Sequence, residues 1–472
     1  MQSRRLAASS STLAATLFIA LAAPACVRDI PGTGPGPDPG TSDPDLGAAV
    51  DGGGGGRMPD LAPAWADRDA FCAGGGPVVV VGDNPLANPP ACTGQIAGAL
   101  FQNALCTCED VLLAGYLKTR AFNSNMGGMP AGGGPVGING SYAISAGYTD
   151  VSGSFSIAGP NSLNLVGYVN VGGDFRLGGT ATVPGYTKVG RDAWFRGTYT
   201  DLGPIDIGRD LHRGGTVIGV PVHVGGQNAQ QSFTIPPPCS CNPKDILDVG
   251  KLVDGARTLN DNAAVGLSPK LFENAIGKVS FDLPCGRFYV TSFGGLGDIT
   301  VNVNGRVALF VDGSISALGV LQFKLAPGAE IDLFVKGNLA LTGKMSFGDK
   351  SRPAATRIYV GGTSDITLIG ASGFVGNLYA PRAAVNGVGY VDVFGSVFGK
   401  SLRSPGYANF LYDLAITTVG RDCPPPPHLC DDCTDCWNGL TCVQGACGPC
   451  TKDADCCGQQ VCTDGTCGPL IQ

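Results

Sequence analysis

The 472-residue chain has only three histidines, His212, His223 and His428, and none stands in a metal-ligand or nucleophile-base spacing. Histidine-centred catalysis therefore has no motif to start from. Positive charge is also scarce: setting aside Arg4 and Arg5 near the N-terminus leaves 29 of the 31 basic residues against 38 acidic ones, a net charge of −9. Such a chain repels phosphate backbones, and no basic stripe with interleaved aromatics offsets this, so nucleic acid is not an expected partner. Beyond the N-terminus no run approaches the roughly 18 apolar residues that a membrane-spanning helix needs. No cofactor-binding motif survives inspection either. Gly395-Ser-Val-Phe-Gly-Lys-Ser401 has three residues between its glycines where a phosphate-cradling loop has four, and it sits between strands. Gly294-Gly-Leu-Gly-Asp298 is a single copy of a pattern that binds calcium only as an array.

What the chain has in plenty is glycine (74 residues), proline (34) and cysteine (19). Arg4 and Arg5 precede an uncharged stretch ending in the apolar run Leu13 to Ala23, the pattern of an export signal over residues 1–25. Ala23-Pro24-Ala25 fits ordinary cleavage, while Cys26 points to lipid attachment. Leu21-Ala-Ala-Pro-Ala-Cys26 resembles the lipobox of bacterial lipoproteins, departing from it at Ala23 and Pro24. Lipidation of Cys26 would leave 18 cysteines, an even number able to pair completely in an oxidising compartment. The expectation is an exported chain, held by lipid in the bacterial envelope at the outer membrane or cell surface. Simple secretion with a free Cys26 is the alternative.

Residues 26–65 are rich in Gly, Pro, Asp and Ser, including Gly52 to Gly56, and read as a disordered tether. Residues 66–132 carry Cys72, Cys92, Cys106 and Cys108 around Ile96, Leu100, Ala104 and Leu105, which recur at helical spacing, so a disulfide-stapled helical cap is expected.

An internal repeat occupies 133–236. Val169-Asn-Val171-Gly-Gly-Asp174, Thr187-Lys-Val189-Gly-Arg-Asp192 and Ile205-Asp-Ile207-Gly-Arg-Asp210 stand 18 and 18 residues apart, and Val222-His-Val224-Gly-Gly follows after 17. Apolar residues alternate within each unit, placing one side of a short strand inward. One such unit cannot bury its own apolar face, whereas stacking at about 4.8 Å can, so a parallel β-solenoid is expected over an antiparallel sandwich. Val171, Val189 and Ile207 should share a buried column. Asp174, Asp192 and Asp210 should share one at the turns, with Arg191 and Arg209 offsetting their repulsion. Each Asp bonding its own turn is the structural reading; weak calcium or sugar ligation is the functional one.

Residues 237–285 hold Cys239, Cys241 and Cys285. Asn242-Pro243 is an expected helix start, and Ile246, Leu247, Val249, Leu252 and Val253 form an apolar stripe, giving a helical insert. Longer repeats fill 286–415: Leu309-Phe-Val-Asp-Gly313, Leu333-Phe-Val-Lys-Gly337 and Ile358-Tyr-Val-Gly-Gly362 lie 24 and 25 residues apart. Asn377-Leu-Tyr-Ala-Pro-Arg-Ala-Ala-Val385 and Gly395-Ser-Val-Phe-Gly-Lys-Ser-Leu402 follow. These phrases resemble a β-solenoid domain of unknown function found in bacterial surface and pilus-associated proteins. The resemblance covers about Phe288 to Tyr412 and transfers no catalytic residue.

After a Pro-rich spacer, 416–429, which includes Cys423, residues 430–472 carry Cys430, Cys433, Cys436, Cys442, Cys447, Cys450, Cys456, Cys457, Cys462 and Cys467. Cys436-x5-Cys442-x4-Cys447-Gly-Pro and Cys457-x4-Cys462-x4-Cys467-Gly-Pro are near copies, and the segment resembles the knottin-like, dickkopf-type cysteine-rich modules of secreted proteins. Cys433-x2-Cys436 and Cys447-x2-Cys450 have zinc-like spacing. Export and even parity favour disulfides.

The fold expected is therefore mainly β: a parallel β-solenoid with a helical cap and a helical insert, plus a small disulfide-rich C-terminal module. The function expected is a non-enzymatic, structural or interacting surface lipoprotein, meeting the membrane through its lipid and an envelope protein or glycan through its folded part. A carbohydrate-binding or polysaccharide-active solenoid is the alternative; it calls for carboxylates and aromatics clustered on one coil face.

Overall fold

The computed structural model describes residues 68–82, 90–130, 132–160, 163–164, 167–341, 344–369 and 373–423, with parts of 441–469. The leader, Cys26, the tether, and Cys430, Cys433 and Cys436 lie outside the described residues.

The 18-residue units are coils. A typical one supplies three strands of three residues, Phe175–Leu177, Ala181–Val183 and Thr187–Val189, each burying its first and third residue and turning its second outward. Such short strands suffice because glycine or polar residues bend the chain immediately after each. Neighbouring coils pair in parallel and in register, with Val171 opposite Val189 and Val189 opposite Ile207, all at most 3% exposed. Each branched side chain so buried contributes roughly 1.5–3 kcal/mol. The expected apolar column exists, and the sandwich alternative is excluded.

From residue 278 onward the coils are larger, with strands of five or six residues: Lys278–Leu283, Asp298–Val303 and Val320–Leu325 on one side, and Gly286–Val290, Arg306–Val311 and Glu330–Val335 on another. Two long strands, Phe374–Val388 and Val391–Ser404, then bend around a corner and serve two sides of the coil each.

The segment expected as a helical cap is mostly something else. It contains one eight-residue helix, Thr93–Leu100, but its second half forms the strands Leu105–Thr107, Val111–Leu113 and Leu117–Asn123, which make a complete coil. That coil sits between the two repeat regions. Leu105–Thr107 pairs with Val136–Ile138 on one side and Val397–Gly399 on the other. Val111–Leu113 lies between Tyr142–Ile144 and Leu402–Ser404. Leu117 and its neighbours lie between Thr149–Val151 and Ala408–Asp413. The helical spacing at Ala104 and Leu105 misled because a short apolar run satisfies either period; here parallel edges on both sides offer strand partners that a helix would leave unpaired.

The two repeat regions are thus one solenoid that the chain enters in the middle. It winds outward to Asn228–Gln230, returns, starts again at the opposite end and winds back to meet its own first coil. One buried column runs unbroken through Phe288, Leu309, Leu333, Ile358, Leu378, Val397, Leu105, Val136, Phe155, Phe175, Ala193 and Leu211. Its central members come from chain segments almost 300 residues apart.

The return segment is pinned to the middle coil by the disulfides Cys106–Cys239 and Cys108–Cys241. Asn242 does not start a helix: its side chain caps a turn at Lys244, and the helix runs Val249–Ala256 with Asp248 accepting from the Lys251 N–H at 3.2 Å. The chain must first clear the pinned cysteines, which delays the helix by two turns. Val249, Leu252 and Val253 are buried as expected, while Ile246 and Leu247 are half-buried. The insert ends before the strand Lys278–Leu283, and the packed body extends past 415, since Ile416 is fully buried and Cys423 bonds Cys92.

In the C-terminal module the two near-copies are two antiparallel hairpins, with Cys442 opposite Cys447 and Cys462 opposite Cys467 along the backbone. Cys450–Cys462 and Cys456–Cys467 link its parts. The sulfurs of Cys450, Cys456 and Cys467 lie within 4.8 Å of one another, but each belongs to one of these disulfides and is not a free thiolate. Such bonds point to an exported protein, and no helix among the described residues is long and apolar enough to cross a membrane.

Candidate interaction face

In six successive coils, where the chain turns into one of the strands, a glycine precedes a tyrosine. Parallel register stacks these dipeptides: Gly389-Tyr390, Gly406-Tyr407, Gly115-Tyr116, Gly147-Tyr148, Gly167-Tyr168 and Gly185-Tyr186. Glycine is required because coils touch here: a methyl group on Gly167 or Gly185 would strike the backbone of the glycine one coil below. The rings form a continuous external stack with centroid separations of 4.4, 4.6, 4.9, 4.7 and 4.9 Å from Tyr390 to Tyr186. Consecutive planes tilt by no more than 19°. Tyr390, Tyr407 and Tyr116 come from both sides of the seam, so the stack crosses it.

The inner rings present edges and hydroxyls outward, while the terminal Tyr390 and Tyr186 are 61% and 42% exposed. Partial burial and neighbouring phenols push the Tyr116 and Tyr168 hydroxyls above their usual range. Two residues further on, a polar column runs beside the stack. Asn409 donates to Asp392 at 3.1 Å, Asn170 to Asp150 at 2.9 Å, and His223 Nδ1 lies 2.9 Å from Asp206. Arg120 closes a 2.5 Å ion pair with Asp150. The column alternates acids and amides with Lys118 and Lys188, so the face carries phenols beside charges of both signs.

The aspartates singled out by the repeat do form a column, but not as isolated turn caps. Asp174 accepts from the Asp192 N–H at 3.4 Å, Asp192 from Asp210 at 3.1 Å, and Asp210 from Gln227 at 2.8 Å, so each carboxylate ties its coil to the next. Arg191 and Arg209 sit 3.4 Å from Asp174 and Asp192, and Arg176 adds a 2.9 Å bond to Asp174. Donors thus surround Asp174 and Asp192, an environment opposite to that of a calcium ligand, which needs free lone pairs, while Asp210 accepts from the Gln227 N–H. His223 is exposed as expected; half-buried His212 stacks on Trp194 with centroids 5.1 Å apart.

Outside the C-terminal module the disulfides join distant segments: Cys72 to Cys285, Cys92 to Cys423, Cys106 to Cys239 and Cys108 to Cys241. Cys457 is also disulfide-bonded.

A fully buried ion pair lies in the larger coils. Arg357, 2% exposed, binds Asp332 through two bonds of 2.6 and 2.7 Å and reaches Glu330 at 2.7 Å. Burial alone would raise the Glu330 carboxyl, but Arg357 and Arg306 hold it below its ordinary value. The carboxylates here are paired with cations, not set opposite one another across a cleft.

The tyrosine stack was missed in the sequence although its signal is there: the Gly-Tyr dipeptide recurs at 147, 167 and 185, and again at 115, 389 and 406. Only the first three fall in the obvious repeat. The others belong to the same stack because the solenoid is split.

Residues 247–419 match the family described as Domain of unknown function (DUF7305). The match covers the larger coils with their helical end and stops short of the 18-residue repeats. No curated protein matches the chain. No solved structure matches it.

Proposed function

We propose that the protein is a non-enzymatic surface lipoprotein of the bacterial envelope, anchored through Cys26, raised on the tether 26–65 and binding an extended partner along the tyrosine face. The observation that carries this reading is the stack from Tyr390 to Tyr186, aligned with a column of acids, amides and lysines and unbroken across the seam. A buried stack would serve packing alone; this one keeps its hydroxyl edges at the surface, where a polymer lying along the coils meets a repeating donor and acceptor pattern. Long-range disulfides support an exported scaffold, and the paired state of the buried carboxylates supports a role without catalysis.

A glycan is the favoured partner, since tyrosine hydroxyls beside Asp392, Asn409, Asp150 and Asn170 match the hydrogen-bonding surface of a polysaccharide. An envelope protein strand is the other. Co-sedimentation with cell-wall polysaccharide, compared between the native protein and a Tyr148→Ala/Tyr168→Ala variant, tests the face: binding lost in the variant supports the glycan, and binding unchanged removes the face from the account. Replacing Cys26 with Ser tests the anchor separately. Release into soluble fractions is expected, and membrane retention would place the anchor elsewhere.

A further inference from the structure

A cleft of about 670 Å³ opens at the seam, sharing Arg120 with the polar column beside the tyrosine stack but none of the tyrosines. One wall is the turn after the middle coil, from Ala121 and Phe122 to Pro130; the other is the loop Lys350–Arg352 of the larger coils, with Leu411 between them. Its volume lies within the range of small-molecule sites. Its lining combines an apolar floor, including Phe122 and Leu411, with three cations, Arg120, Lys350 and Arg352, and no carboxylate. That composition runs against the rest of a chain in which acids outnumber bases by 38 to 31.

The cations are not equally committed. Arg120 is neutralised by Asp150. Lys350 rests its ammonium 4.5 Å from the centre of the Phe394 ring, and Arg352 donates to the Ala326 carbonyl at 3.0 Å; neither has a carboxylate within ion-pair distance among the described residues. The neighbouring Asp349 is turned to the Ser351 N–H, which it accepts at 2.8 Å. Two cations without a carboxylate partner thus line the concave site, their present contacts being the Phe394 ring and the Ala326 carbonyl at its margin, and both can turn to an anion carried on a hydrophobic body.

We propose that this cleft binds an amphipathic organic anion: one carboxylate, sulfonate or phosphate group held by Lys350 and Arg352, with an apolar body packed on Phe122 and Leu411. The proposal is independent of the tyrosine face and of the lipid anchor.

Fluorescence titration of the intact, oxidised protein with anilinonaphthalene sulfonate tests it, using neutral N-phenylnaphthylamine as the comparison. Saturable binding of the sulfonate is expected, weaker at high salt and tighter than the neutral dye. Lys350→Gln/Arg352→Gln should lower the affinity by about tenfold, because two charge-assisted contacts are lost. Ser351→Trp, a plug at an exposed position that leaves the charges in place, should abolish binding. Equal affinity for the two dyes, or an affinity that neither variant changes, overturns the proposal. The double glutamine substitution removes only the Ala326 hydrogen bond and the Phe394 contact from the fold, so it remains informative if the tryptophan variant fails to fold.

Discussion

The two arms of the solenoid share one buried column but are built differently around it. In the 18-residue arm three-residue strands leave little backbone per side, and cohesion comes from ladders: apolar residues inside, aspartates bonding the next coil's N–H at the turns, tyrosines outside. In the larger arm strands of five or six residues carry more backbone pairing, and those of one side, such as Glu330–Val335 and Thr356–Val360, bury residues of both faces, where Arg357 is matched by Asp332. In the short-coil arm the buried Asp201 is met by Thr187 and the Gly203 N–H, with no cation among these partners. The ends differ too. Beyond the strand Gly286–Val290, Asn262 both donates to and accepts from Tyr289, at 2.6 and 2.9 Å, and Asp261 accepts from Arg287 at 2.7 Å, imitating a further strand. At the opposite end Val217–Ile218, Val222–Val224 and Asn228–Gln230 have strand partners on one side only among the described residues. Repetition alone extends a solenoid; finishing it requires side chains that stand in for the missing coil.

The comparison can be broken most severely inside the short-coil arm. Val189→Asp removes an apolar side chain from the column and puts a carboxylate in its place, for an expected loss of about 5 kcal/mol. Urea unfolding measures it; a loss below about 1 kcal/mol would mean that Val189 is not inside. The matching change in the larger arm is Arg357→Ala, which strands Asp332 as a buried carboxylate, leaves Glu330 with Arg306 alone, and should destabilise by about 4 kcal/mol. Hydrogen exchange in this variant sharpens the contrast. Faster exchange confined to strands between 286 and 360 indicates two arms that open separately, whereas loss spread equally to 155–207 indicates one cooperative unit.

Smaller effects distinguish the ladders. Asp192→Asn keeps an oxygen for the Asp210 N–H and loses only the exposed Arg209 partner, so less than about 1 kcal/mol is expected. A larger loss would show that charge, not hydrogen bonding, holds the turns. Asp201, 1% exposed, has its carboxyl pushed up by burial despite bonds from Thr187 and Gly203. A raised carboxyl holds its proton more tightly folded than unfolded. Its ionisation therefore opposes folding: the penalty is absent below the ordinary carboxylate range and grows as pH rises through the folded value. Asp201→Asn lacks that penalty, so its Tm relative to the native protein should rise from pH 4 to pH 7. A constant difference across that interval would contradict the assignment.

How much of this was legible depended on whether a signal repeated at a fixed period. The column of Val171, Val189 and Ile207 could be read directly because the period places equivalent residues one coil apart. The coil at 105–123 could not, because its neighbours in space are 136–151 and 391–413, and a single coil has no period of its own. The same gap hid half of the tyrosine stack: Tyr116 stands apart from Tyr148 in sequence spacing yet stacks on it at 4.9 Å. The cleft draws Phe122, Lys350 and Leu411 from three separate segments, a juxtaposition that no local pattern encodes.

The split solenoid is tested most directly by mapping the disulfides of the purified, unreduced protein by mass spectrometry of its peptides. Entry at the middle coil predicts Cys72 linked to Cys285, Cys92 to Cys423, and Cys106 and Cys108 to Cys239 and Cys241. Pairing of Cys72, Cys92, Cys106 and Cys108 among themselves, as a self-contained N-terminal cap would require, would contradict it.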